Sequence, residues 1–165
     1  GRNDNTVSNE GLRSLSQEGL ANYRLNFAYQ ITKEIELKSR VEFTRYTIGN
    51  GQNEEGLLIY QDIRFKKLSF PLSLTLRYAL FDTDSYNSRI YAYENDVLYA
   101  FSIPAFSGRG TRFYLTTKYR IKGGIDLWLR FAQTYYTDRT TIGTGREEID
   151  GNTRSEIKAQ LRFKF

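Results

Sequence analysis

Charged side chains recur at every second position along much of the chain, the spacing that places residues on one face of a β-strand. The clearest run is Glu36, Lys38, Arg40 and Glu42. Opposite charges on neighbouring strands form cross-strand ion pairs, whereas a basic excess around a water-filled interior favours anionic solutes. The sequence leaves both interpretations open. The residues predicted to line such an interior are Arg24, Glu36, Lys38, Arg40, Glu42, Arg64, Arg77, Lys118, Arg120, Trp128, Arg130, Lys158 and Arg162.

The residue types that are missing narrow the chemistry. The sequence has no cysteine and no histidine, which excludes thiolate and Ser-His catalysis and removes the commonest ligands of transition metals. Gly108-Arg109-Gly110 lacks the following helix of a phosphate-binding turn. The Asp- and Asn-rich stretches 82–87 and 138–152 lack the spacing of a calcium loop. We therefore expect no enzymatic activity, no cofactor and no metal site.

Alternation between apolar and polar residues defines the elements that carry these charges. Residues 1–20 lack the period and are predicted to be a polar loop or a trimmed terminus, whereas 21–165 form one repetitive β-domain. Aromatic residues make up 15% of the chain and hydrophobic residues only 39%. The pattern predicts nine antiparallel strands, near 21–31, 35–43, 57–66, 72–80, 89–93, 97–103, 112–121, 125–135 and 156–165.

Strand length and aromatic placement favour a transmembrane β-barrel. Several runs alternate for about ten or more residues, the length of a strand tilted across a bilayer, whereas strands of soluble domains average about five or six. Tyr and Phe lie near strand ends, as in the aromatic girdles of barrels. The net charge of +5 is spread along the chain, unlike the clustered footprint of a nucleic-acid site. A soluble β-sandwich or ligand-binding β-barrel is the alternative.

The predicted connections alternate between short and long, as in outer-membrane barrels with short periplasmic turns and longer extracellular loops. The short ones are 32–33, 67–70, 94–96 and 122–124, and the long ones are 48–56, 82–87, 104–110 and 138–152. This parity places the C-terminus on the periplasmic side. Because single-chain bacterial barrels have even strand numbers, nine strands predict at least one more before residue 1, and we expect the C-terminal part of a larger barrel.

Two stretches resemble known sequences. Tyr91–Asp96 through Gly108–Arg112, together with Gly151–Lys158, resemble outer-membrane barrels of Bacteroidota, which are Gram-negative bacteria. In particular, they resemble the C-terminal barrel region of competence-type helix-hairpin-helix proteins, and the resemblance covers roughly residues 75–165. The terminal Phe163 and Phe165 resemble the signal read by the barrel-assembly machinery. No helix-hairpin-helix segment occurs in the sequence, so these residues do not support a nucleic-acid partner.

Three functional hypotheses follow. The first is a porin-like pore or transport barrel, or a barrel subunit of a larger envelope complex. The second is a non-conducting outer-membrane scaffold or anchor for a partner or soluble domain, and the third is a soluble ligand-binding β-barrel. For the membrane hypotheses, the expected partners are outer-membrane lipid and lipopolysaccharide, the assembly machinery, and proteins of an envelope complex.

Overall fold

One large antiparallel sheet dominates the computed structural model, which describes residues 2–7, 13–16, 18–49, 51–121 and 124–164. The sheet has seven strands of 11 to 15 residues. They are β1 (Glu18–Gln30), β2 (Ile35–Ile48), β3 (Gln52–Lys66), β4 (Leu72–Thr83), β5 (Arg109–Ile121), β6 (Ile125–Tyr136) and β7 (Thr153–Phe163). The all-β, antiparallel prediction is confirmed, although the described sheet is not closed into a barrel.

Each strand of this sheet pairs with its neighbour in sequence, which gives an up-and-down meander. The register keeps the two kinds of residue apart: Arg24 lies opposite Glu42, while Leu25 lies opposite Val41. Since side chains alternate between faces at every residue, the whole sheet has one polar face and one apolar face.

Shorter elements lie outside the main sheet. Two-stranded sheets are formed by Arg2–Val7 with Arg13–Ser16, by Ile90–Tyr91 with Ala105–Phe106, and by Thr141–Ile142 with Ile149–Asp150. Gly145–Glu147 is a single 3₁₀ turn. The first of these sheets, and the start of β1, lie within the stretch that the sequence predicted to be a polar loop.

The prediction of nine strands is wrong, because the two middle strands do not join the sheet. β4 pairs directly with β5, with Arg77 opposite Tyr114. Residues 84–108, which we call the inner segment, leave the end of β4 and fold back over the polar face. Alternation in 89–93 and 97–103 was too short to distinguish a sheet strand from a packed connection.

The predicted long loop 48–56 is also wrong. β2 continues to Ile48 and β3 begins at Gln52, so that only a tight turn separates them. Gly51 has a φ of +78° in this turn, a conformation that glycine adopts without steric cost. The long connections at this end of the sheet are the inner segment and residues 137–152. We call this the long-loop end and the opposite one the short-turn end.

Burial is inverted relative to a water-soluble sheet. Charged residues on the polar face are buried, among them Arg77 at 3% exposure and Arg130 at 1%. Apolar residues on the other face are open, including Phe27 at 59% and Ile157 at 77%. The part of the chain that the structure describes contains no helix with the length and apolar character needed to cross a membrane.

A small apolar cluster fixes the inner segment to the sheet near the long-loop end. Phe106 and Ile90 of the segment pack with Leu58, Ala79 and Phe81 on the polar-face side. The rings of Phe81 and Phe106 meet edge to face at 5.4 Å between centroids, a favoured aromatic geometry. The hydrophobic core therefore lies between the sheet and its own connection.

Candidate functional site

The inner segment delivers an acidic tip, Glu94 to Asp96, into a group of cations on the polar face. Glu94 is fully buried. It accepts hydrogen bonds from Arg112 Nε at 2.7 Å and Arg112 Nη2 at 2.9 Å, and a further one from Arg130 Nη2. Its carboxylate therefore lies between two guanidinium groups, a geometry in which both charges and hydrogen bonds are satisfied.

The rest of the tip is held as firmly. The Asn95 carbonyl oxygen accepts from Thr116 Oγ1 at 2.9 Å and from Arg130 Nε at 3.2 Å. Asp96 accepts from Lys158 Nζ at 2.7 Å. Arg130 also donates to Glu156 at the edge of the cluster. The tip thus connects β5, β6 and β7 through backbone and side-chain contacts.

A second buried ion pair supports the tip from β3 and β4. Arg77 Nε and Nη2 donate to Asp62 at 2.5 and 2.7 Å, and Nη1 donates to the carbonyl oxygen of Tyr93 at 2.7 Å. The guanidinium lies 3.6 Å from the centroid of the Tyr60 ring, within the range of a cation–π contact. Buried charges are tolerated only when their hydrogen-bonding capacity is used in this way.

Two glycines allow the inner segment to approach its neighbours. A Cβ on Gly56 of β3 would lie 2.3 Å from the carbonyl oxygen of Ser88, closer than non-bonded atoms can come. Gly108, with a φ of +82°, lies against Asp138 and Arg139 of the 137–152 connection. The hydrogen bond from Arg139 lowers the pKa of the Asp138 carboxyl, so that this pair stays charged at neutral pH.

The strands farthest from the tip carry their own ion pairs. Arg24 binds Glu42 through two hydrogen bonds of 2.9 and 2.7 Å. Glu36 accepts from Arg64 at 3.1 Å and lies 3.4 Å from Lys38. The Arg24–Glu42 and Arg64–Glu36 pairs join neighbouring strands, whereas Lys38 and Glu36 are both on β2.

The short-turn end of the polar face has a different balance of positive and negative charges. Asp126 is surrounded by Arg120, Arg162 and Lys164. Trp128 lies between Lys118 and Arg162, at 4.9 and 5.2 Å from its ring centroid. The buried Nε of Arg162 has no hydrogen-bond partner in the described part of the chain. Cations here outnumber carboxylates.

Every residue predicted to line an interior is on the polar face, but they fall into three groups. Those of β1 to β3 pair among themselves, whereas a second group surrounds the acidic tip and a third lies at the short-turn end. That this face lines a barrel interior stays a prediction. The groups are Arg24, Glu36, Lys38, Arg40, Glu42 and Arg64; then Arg77, Arg130 and Lys158; and finally Lys118, Arg120, Trp128 and Arg162.

Sequence reasoning missed Glu94, Asn95 and Asp96, which it treated as a turn between two strands. The signal was present in the composition: two carboxylates stand between short alternating runs, opposite a face rich in arginine. Phe163 ends β7 and is exposed, while Phe165 lies outside the described residues. Their role as an assembly signal stays a prediction.

Within the described residues, no group of three or more Asp, Glu, His or Cys side chains is arranged to hold a metal ion. Comparisons with protein-family models, with curated proteins and with solved structures found no match to the chain.

Proposed function

We propose that this chain forms part of the wall of an outer-membrane β-barrel, with its apolar face toward lipid and its polar face toward the interior. The observation that carries the proposal is the inverted burial: Leu25 and Phe27 are more than half exposed while Glu42 and Arg77 are buried. A bilayer is the solvent in which such a sheet is stable, because lipid covers the apolar face at no cost.

The third hypothesis, a soluble ligand-binding barrel, fits this distribution poorly. Each square ångström of apolar surface left in water forgoes roughly 25 cal/mol, and contiguous exposed apolar surface of this extent marks an interaction or membrane surface. The apolar face runs across all seven strands of the sheet. Strands of 11 to 15 residues are also long enough to cross a bilayer when tilted.

The two edge strands of the sheet indicate what is needed to close a barrel. Among the described residues, β1 and β7 are each paired on one side only. Backbone groups in lipid must be satisfied by a closed barrel. The proposal therefore includes further strands that pair with β1 and β7 and complete the wall.

Within that barrel, the inner segment acts as a plug. Its acidic tip contacts residues in the middle of β5, β6 and β7 and is charge-matched to them. We favour a transport barrel, or the barrel subunit of an envelope complex, whose interior is closed at rest by this segment. The non-conducting scaffold is the second candidate, and the fully buried, hydrogen-bonded Glu94 favours it.

Membrane insertion is tested by comparing two arginine substitutions on opposite faces of β1. Leu25→Arg puts a charge into lipid and is expected to destabilise the inserted protein by about 2–4 kcal/mol. Ala28→Arg on the polar face is the matched control and is expected to insert as the wild type does. Heat-modifiable gel migration after insertion into liposomes measures both. A wild-type protein that stays monomeric in buffer without detergent would overturn the proposal.

Conductance across planar bilayers separates transport from scaffolding. The wild type is expected to be silent or rarely open, and the double variant Glu94→Gln, Asp96→Asn to conduct, because the tip loses its charge match. The control is Glu147→Gln, Glu148→Gln in the exposed connection 137–152. Silence of every variant under all voltages would favour the scaffold.

A further inference from the structure

A cation-lined cavity lies on the polar face at the short-turn end, away from the acidic tip. Its volume is about 300 Å³ and it sits beneath the turn between β3 and β4. Four cations line it, and no carboxylate does. We call it the cationic pocket and define it by Lys66, Lys67, Ser73, Lys118 and Arg120.

Strand register builds the pocket. Lys66 of β3 lies opposite Ser73 of β4, and Ser73 lies opposite Lys118 of β5. The three residues form one row across adjacent strands, which are spaced about 4.8 Å apart. Two flexible lysine side chains therefore flank a hydroxyl donor on the same face of the sheet.

The lysines of the pocket have no close ion-pair partner among the described residues. Lys66, Lys67 and Lys118 form no ion pair with any described carboxylate, and the ammonium of Lys118 is held instead against the Trp128 ring. Arg120 lies 3.7 Å from Asp126, which it shares with Arg162 and Lys164. Like charges held close together repel one another, and a bound anion would remove that repulsion.

We infer that the cationic pocket binds a phosphate group, either of a soluble anionic solute or of a lipid headgroup. Lysine ammonium groups act as point charges toward phosphate, and Arg120 and Ser73 add hydrogen-bond donors. The inference stands on the pocket alone and does not depend on membrane insertion. In the proposed barrel, the same pocket would lie at the short-turn opening of the interior.

Trp128 supplies the measurement, because it is the only tryptophan of the chain and its ring contacts Lys118. The protein in uncharged detergent micelles is titrated with inorganic phosphate at constant ionic strength, with chloride as the balancing salt. A saturable change in Trp128 emission is expected with phosphate. The double variant Lys66→Gln, Lys67→Gln, which leaves the tryptophan contacts intact, should bind at least about tenfold more weakly.

The control is Arg146→Gln, an exposed cation of the connection at the long-loop end, which should bind phosphate as the wild type does. A second arm replaces phosphate by micelles containing phosphatidylglycerol. Saturation by inorganic phosphate identifies a soluble anion, and saturation only by the lipid identifies a headgroup. Ser73→Ala provides a variant without loss of charge should the double variant not fold.

Equal responses to chloride and to both phosphate sources would overturn the inference. Folded pocket variants that titrate like the wild type would do the same. Because the assay uses micelles, loss of bilayer insertion leaves it intact, and failure of one proposal is distinguishable from failure of the other.

Discussion

The polar face carries many charges, and they are compensated differently around the acidic tip and at the short-turn end. Around the acidic tip, carboxylates from the inner segment neutralise Arg112, Arg130 and Lys158, and the side chains of Glu94, Asp96 and Arg130 are fully buried. At the short-turn end, Lys66, Lys67 and Arg120 are exposed and line an open pocket. Charge on one sheet face is thus structural where the chain supplies its own counter-ion, and available to a ligand where it does not.

The largest expected loss of stability comes from removing a carboxylate of the acidic tip. Glu94→Ala leaves Arg112 and Arg130 buried without their common carboxylate, and removing one partner of a buried ion pair costs roughly 3–5 kcal/mol. Urea unfolding in detergent micelles should show this loss. Glu147→Ala, on an exposed site of the connection at the same end, is the control and should change little. An equal loss in both variants would contradict the role of the tip.

Gly56→Val tests the contact between the inner segment and β3. The new side chain overlaps the carbonyl oxygen of Ser88, and forcing extra atoms into a packed site typically costs about 1–3 kcal/mol. Gly19→Val is the matched control, since among the described residues a Cβ there meets only Thr47 at 3.9 Å. Thermal unfolding measures both. Equal midpoints would show that the segment does not rest on β3 in solution.

A pH titration tests the attachment of Gly108 to the 137–152 connection. The pKa of Asp138 is lowered by Arg139, so its contribution is present above the ordinary pKa of about 3.9 and is lost as pH falls through the lowered value. Asp138→Asn should therefore be slightly less stable than the wild type at pH 7. The difference should vanish in strong acid. Because the pair is about one third exposed, we expect less than about 1 kcal/mol.

The smallest effect is expected in the cationic pocket. Lys66→Gln removes a cation that has no carboxylate partner among the described residues, and surface substitutions of this kind change stability by less than about 0.5 kcal/mol. The same urea unfolding experiment measures it. A clear loss of stability would contradict the proposed difference between the acidic tip and the cationic pocket. A small gain would support it, because it would show repulsion among the cations of the pocket.

Local periodicity predicted the elements whose partners are also local. Ala21–Ile31 and Ile35–Phe43 alternate without a break, and both runs lie within paired strands of the sheet except for Ile31, which follows the end of β1. The inner segment escaped prediction because what fixes it is distant. Glu94 is 18 residues from Arg112 and 36 from Arg130. The alternation of its neighbours resembles a strand, but its carboxylates are satisfied only by tertiary contacts that no local pattern encodes.

Alternation likewise predicts only part of the cluster around the acidic tip. The cations on β6 and β7 follow from alternation, so Arg130 and Lys158 were predicted for the polar face. Two of their counter-ions, Glu94 and Asp96, come from a connection between strands, where alternation gives no face. Part of the cationic pocket was predicted from the sequence, because Lys118 and Arg120 were assigned to this face. Lys66 ends the predicted strand 57–66 and Lys67 begins the predicted connection 67–70, and neither was named among the lining residues.

The acidic tip precedes, in the sequence, all three of the strands to which it is bound. Glu94 emerges after β4, yet Arg112, Arg130 and Lys158 belong to β5, β6 and β7, which are made later. A slip of one residue in β7 would turn Lys158 and Glu156 to the opposite face. Asp96 can therefore pair with Lys158 only when β7 is in the correct register, whereas the contacts of Glu94 with Arg112 and Arg130 need only β5 and β6.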